Sequence, residues 1–174
     1  MERKPIDQMQ FTAQPHAVWD WTWFLLASGD LAAGKYNAMT VAWGALGFIW
    51  DKPLAVAVVR PTRHTFGFMN EFISFTLSAF DKSHRKALQY LGSHSGRDED
   101  KIAASGLTPQ PASVVAAPAF AEAELVLECR KLYWQDLDPS HFLDPKIDLL
   151  YNQDYHRMFF GEVVAISGTE KYGA

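Results

Sequence analysis

Between Ile73 and Ala79 the chain alternates without a break: Ile73, Phe75, Leu77 and Ala79 are apolar, and Ser74, Thr76 and Ser78 are polar. A period of two predicts a β-strand with Ile73, Phe75 and Leu77 buried and with Ser74 and Thr76 facing outward or lining a site. The period returns over residues 123–131, where Ala123, Leu125, Leu127 and Cys129 read as inward and Glu124, Glu128 and Arg130 as outward. Residues 54–59 (LAVAVV) are a continuous apolar run, too short for a helix, which predicts a strand covered on both faces. Residues 21–27 form another apolar run, ended by a turn signal at Ser28-Gly29-Asp30. Residues 38–46 read as one strand with a weak point at Gly44, and residues 158–166 as the last strand.

Helices are few and short in this pattern. Thr62 is placed to cap a helix over 63–70. Asp81-Lys82-Ser83 opens a second, with Leu88 and Leu91 as its apolar positions and Gly92 as its stop. Ser95 or Asp98 would cap a third that carries Glu99, Asp100 and Lys101. Pro109 and Pro111 mark a loop that apolar strands follow at once, so it reads as a connection inside one domain. Residues 138–151 are irregular, with room for one helical turn. Six or seven strands that do not alternate with long helices disfavour a doubly wound parallel sheet and favour a mainly β fold, an antiparallel barrel. The expectation is a single domain over 1–174, with an N-terminal extension over 1–18 and a loose tail over 167–174.

Composition narrows the classes of partner. The formal charge of −4 gives no electrostatic case for nucleic acid. There is no run of about 18 apolar residues to span a membrane, and the polar start lacks a signal-peptide core. A cytoplasmic location is therefore expected, with neither nucleic acid nor membrane as partner. Cys129 is the only cysteine, and the six histidines show no metal-ligand spacing, so no protein metal site is expected. Aromatic residues reach 14%, which suits either a β core or a pocket for a flat conjugated ligand.

Three stretches carry candidate chemistry. Arg60-Pro61-Thr62-Arg63-His64-Thr65 stands between a buried strand and a helix. Helix N-terminal N–H groups, threonine hydroxyls and forked arginine donors together suit a phosphate, although a capped helix beside two solvated arginines has the same spelling. Ser93-His94-Ser95-Gly96-Arg97-Asp98, followed by Lys101, offers a second entry of the same kind. Neither is a Walker A loop, and no G-x-G-x-x-G is present. Tyr36-Asn37-Ala38-Met39-Thr40-Val41-Ala42-Trp43-Gly44 sets hydrogen-bonding groups and small residues beside Met39 and Trp43, as a heterocycle edge requires.

Taken in order, N-A-M-T-V-A-W-G, V-R-P-T-R-H-T, S-G-R-D-E-D-K and Y-H-R-M-F-F-G-E-V resemble the flavin reductase-like group of FMN-binding split-barrel proteins, most closely its flavoredoxin-type branch. The resemblance covers about Gly29 to Ile166. It implies a six-stranded antiparallel split β-barrel that forms a homodimer and binds FMN non-covalently near the subunit interface. Carried over by position, Asn37, Ala38, Met39, Thr40 and Trp43 would line the isoalloxazine. Arg60, Thr62, Arg63 and Thr65 would cradle phosphate and ribityl, and Ser95, Gly96, Arg97 and Lys101 would form a second cradle. His156 would lie on the nicotinamide side. The implied activity is transfer of hydride from NADH or NADPH to FMN, with electrons passed on to an acceptor that the sequence does not name. A flavoredoxin-like carrier reduced by a partner protein is the alternative, and a non-redox ligand-binding split barrel is the third.

Overall fold

The computed structural model describes residues 2–173. Its strands are β1 Lys4–Pro5, β2 Phe24–Asp30, β3 Lys35–Val41, β4 Gly44–Ile49, β5 Lys52–Val59, β6 Ser74–Ala79, β7 Pro109–Gln110, β8 Ala119–Phe120, β9 Leu125–Asp136 and β10 Arg157–Gly168. Its α-helices are α1 Pro15–Ala17, α2 His64–Glu71, α3 Arg85–Ser93, α4 Lys101–Ser105 and α5 Pro145–Asp148. The main sheet runs β3-β2-β6-β9-β10-β5-β4 and is antiparallel at every step, with β1 added beside β10. β3 and β4 stand at opposite ends of this path, yet only Ala42 and Trp43 separate them in the chain. The step from Val41 to Gly44 spans roughly 10 Å when fully extended. The two ends of the sheet must therefore meet, and the sheet curls into a split barrel.

Burial follows from that closure. Phe24, Leu26, Met39, Val41, Ala57, Phe75, Leu77, Leu127, Cys129 and Phe159 fill one core cluster, the barrel interior. Alternate residues of the same strands, Leu25, Ala27 and Ala38, pack outside it against Leu88 and Leu91 of α3 and Ile102 of α4. The 38–46 run is not one strand. It breaks at Ala42-Trp43, which carries the chain from one end of the sheet to the other, and supplies two of the seven strands in the path, within the six or seven that the pattern predicts.

Several expectations from local pattern are overturned by the second layer. Ser74 is 5% exposed, and Thr76 and Ser78 are fully buried, while Ile73 lies just before β6 and is 69% exposed. β6 is central, and its polar face is covered: the Thr76 hydroxyl donates to Pro118 O at 2.6 Å, and the Ser28 hydroxyl to Ser74 O at 2.9 Å. Glu128 is buried as well, its carboxylate accepting from Ser113 N and Oγ, Val114 N and Val115 N at 2.6–3.2 Å. Four donors offset the desolvation of that charge. Ser28-Gly29-Asp30 is strand, and the turn follows it at 31–34. Arg63, not Thr62, holds the N-cap position of α2. α3 runs through Gly92 to Ser93, and α4 is capped by Asp100, whose side chain accepts from Ala103 N. The residues expected to be a loose tail are packed: Tyr172 is 4% exposed, and Gly173 bridges Phe11. The N-terminal stretch is likewise tied down, with Ile6 N donating to Ile166 O.

Gly161 marks a close approach of two strands to the Phe75 ring inside the barrel. It sits at a register shift between β10 and β9, where a Cβ would stand 2.6 Å from two ring carbons of Phe75 and 2.9 Å from the Cβ of Cys129. Gly161→Ala is expected to lower stability by about 1–3 kcal/mol through overpacking. A urea unfolding curve should show a lower midpoint with an unchanged slope; a wild-type midpoint would mean that Phe75 yields freely.

Candidate functional site

Two chain entries converge beside the barrel. One leaves β5 through Arg60-Pro61-Thr62 and turns into α2, and the other joins α3 to α4 through residues 94–100. They are cross-linked: Arg97 Nη1 donates to Thr62 O at 3.1 Å, and Arg63 Nη2 donates to Gly92 O at 2.6 Å. Lys101 Nζ donates to Leu91 O at 2.9 Å and His94 O at 3.0 Å. Leu91 O and Gly92 O belong to the last turn of α3, where carbonyls lack intrahelical partners and carry the negative end of the helix dipole. That helix end holds Arg63 and Lys101 in place without supplying a full negative charge.

The charge at this junction is uncompensated. Among the described residues, Arg63, Arg97 and Lys101 have no carboxylate partner. Lys101 is 2% exposed, and burial, followed by the charge of Arg63, brings its pKa down to about 8, with Glu99 opposing. Burial and then Arg60 lower Arg63. Burial, Arg97 and Lys101 lower His64, against the opposing charge of Asp98. Three groups are thus pushed toward losing a proton, and an anion among them would reverse each shift. Hydroxyls complete the cradle. Asn37 Nδ2 donates to Thr65 Oγ1 at 2.8 Å, Ser95 Oγ accepts from Arg97 N at 3.2 Å, and Thr62 is exposed beside them. Gly96 closes on Asn37, and a Cβ there would stand 2.5 Å from Asn37 Oδ1. Asn37, Thr62, Arg63, Thr65, Ser95, Gly96, Arg97 and Lys101 are therefore brought together.

A second feature, a groove of about 190 Å³, is lined by Met39, Thr40, Val41, Ala42, Trp43, Val58, Arg60 and His156. Trp43 and His156 face each other with ring centroids 5.2 Å apart. Tyr151 Oη lies 2.9 Å from His156 Nδ1. Burial and then Arg60, opposed by Asp154, bring His156 down to about 4, so the ring is neutral at pH 7. β3 ends the strand path, so its outer edge offers backbone N–H and C=O groups without strand partners.

Three expected site residues are placed differently. Ala38 points into the cluster beneath α3, and the Thr40 hydroxyl donates to Leu88 O at 2.5 Å. Of the two, only Thr40 lines the groove. Arg60 lines the groove and is engaged by Asp154, at 2.9 and 3.0 Å, and by Leu150 O. The sequence points to residues 142–155 as shaping the mouth of a site, without singling out Tyr151, which contacts His156, or Asp154, which contacts Arg60; Val58 at the groove and His64 beside the cradle carry no such signal. Tyr151 and Asp154 lie in an aperiodic stretch whose one signal was its density of aromatic and acidic residues next to His156.

No curated protein matches the chain significantly. Solved structures do. An FMN-binding domain of a flavin reductases-like enzyme from Shewanella baltica OS155 superposes with a TM-score of 0.71 at 16% identity, covering 96% of this chain and 77% of that one. The flavoredoxin of Desulfovibrio vulgaris (Miyazaki F) gives 0.67 at 24% identity, covering 91% and 73%. The flavoredoxin from Methanosarcina acetivorans gives 0.66 at 23%, covering 100% and 79%. At these identities the likeness establishes the fold. The model of the flavin reductase like domain matches residues 23–173, nearly the whole chain and both features of the site, and the protein belongs to that family.

Proposed function

We propose that the protein is an FMN-binding flavoprotein that oxidises NADH or NADPH and passes the electrons on. The observation that carries this reading is the uncompensated cationic cradle set next to an aromatic-walled groove on an unpaired strand edge. Forked Arg63 and Arg97 and the ammonium of Lys101 suit a phosphate monoester, with Thr62, Thr65 and Ser95 as hydroxyl donors. Gly96 lets the second loop pack directly on Asn37, and in this reading Asn37 and the β3 edge meet the polar rim of a heterocycle. When bound, FMN would supply the redox chemistry, so the chain needs no nucleophile of its own. Cys129 fits that division: it is fully buried, and burial pushes its thiol pKa up. Neutral His156, with Nδ1 engaged by Tyr151, presents a ring without charge to a nicotinamide.

The similarity to two flavoredoxins supports a second reading, in which a partner protein rather than a nicotinamide reduces the flavin. We also infer a homodimer. Phe48, Ile49, Trp50, Tyr133 and Trp134 are 42–62% exposed, and Trp50 and Tyr133 are packed against each other. An apolar face of this size suits a second copy. Among the described residues no helix is long and apolar enough to cross a membrane. We place the protein in the cytoplasm as part of this reading.

Arg63→Ala and Lys101→Met should each weaken FMN binding by about 1–3 kcal/mol per charge-assisted hydrogen bond lost. Titration by quenching of flavin fluorescence measures this, and unchanged affinity in both variants rejects the cradle. The Lys101 value also sets a pH dependence. A bound phosphate favours the ammonium form, so affinity should be flat between about pH 7 and 8, above the phosphate's own second pKa of about 6, and fall as pH rises above about 8. Lys101→Met should abolish that fall. For the activity, bands near about 450 nm should bleach anaerobically with NADH or NADPH, as protein-bound flavin does. Bands that bleach only with a reduced partner protein would select the flavoredoxin-like reading.

A further inference from the structure

By its position in the sequence Arg60 belongs with the cradle, yet the fold turns it toward residues 137–155. Its Nη1 donates to both carboxylate oxygens of Asp154, at 3.0 and 2.9 Å, and its Nη2 to Leu150 O at 2.9 Å. The guanidinium also lies over the Tyr151 ring, 5.0 Å from its centroid. The two side chains are 30% and 19% exposed, which sets this pair apart from the screened ion pairs of an open surface. All of these contacts fall on one segment, and that segment has little else to hold it. Residues 143–150 are all exposed, with Leu143 at 98% and Leu149 at 81%. It is otherwise tied to the barrel by Leu137 N to His156 O and Tyr151 Oη to His156 Nδ1, and within it Phe142, Tyr151 and Tyr155 pack on one another. A segment without a buried core opens at low free-energy cost.

The segment also abuts two walls of the groove, His156 and Arg60. Tyr151 reaches from it to His156, and His156 and Trp43 are walls of the groove. At about 190 Å³ the groove is smaller than the roughly 300–1,000 Å³ of ordinary ligand sites. We propose that residues 137–155 are a cap latched by Arg60 to Asp154 and Leu150, and that releasing the latch admits a flat second redox substrate to the Trp43–His156 groove. Arg60 is then a positioning residue: it holds Tyr151 on His156 and does not bind the phosphate. What passes through the groove rests on the function proposed above, whereas the latch rests on geometry alone.

The test compares Asp154→Ala, Arg60→Ala, their double variant and the conservative Asp154→Asn, each as the full chain. Limited proteolysis with a chymotrypsin-type enzyme reads the open population of the cap and needs no flavin. Both alanine variants should be cut about tenfold faster than wild type within 142–151, and the double variant no faster than Arg60→Ala, which already loses every contact of the guanidinium with the segment. Asp154→Asn, which keeps the shape and loses the charge, should fall between. Asp154→Ala should keep FMN affinity within about twofold while NADH-dependent reduction speeds up at low NADH and slows at saturation. Equal cleavage in all variants overturns the latch. So does a tenfold or greater loss of FMN affinity in Arg60→Ala with no effect of Asp154→Ala in either assay, which would make Arg60 a phosphate ligand. If the wild type binds no flavin, the function above falls, and the cleavage rates still decide the latch.

Discussion

The two-residue link at Ala42-Trp43 constrains nearly everything else in the molecule. It forces the ends of a seven-strand path together, and so turns a sheet into a barrel. It also leaves the outer edge of β3 facing the groove and sets the Trp43 ring at its mouth. A longer connection would let the two ends separate, and neither the interior packed around Phe75 and Phe159 nor the groove would keep its shape. Fold and site therefore share one covalent restraint.

The cradle solves a different problem. Collecting Arg63, Arg97 and Lys101 without a carboxylate would scatter them by repulsion and by the cost of burying Lys101. The last turn of α3 offsets part of that cost, because its carbonyls need donors in any case. Partial charges position the cations without neutralising them. A carboxylate in the same place would hold them more firmly and cancel their charge.

The parts of this architecture visible in the sequence are those that depend on neighbours close in the chain. Periodicity located β6, β9 and the run inside β5, and the two helix entries stood out through their own basic and hydroxyl residues. The failures share a cause. Ser74, Thr76 and Glu128 read as outward because nothing local announces that residues 113–118 lie across them. Residues 38–46 read as one strand because the hand-over from β3 to β4 appears only once both ends of the sheet are known. Arg60 read as a cradle residue because its partner lies 94 positions away.

The stretch between β7 and β8 contains no regular structure, and by appearance it is a surface loop. Glu128 changes what it is. One carboxylate on a central strand gathers the amides of Ser113, Val114 and Val115, and Pro118 O takes the hydroxyl of Thr76. Those amides have the partners of a sheet without its geometry. In hydrogen exchange they should keep time with the opening of the barrel rather than with the fluctuations of a loop, and in evolution the stretch would tolerate changes of side chain far more readily than changes of length.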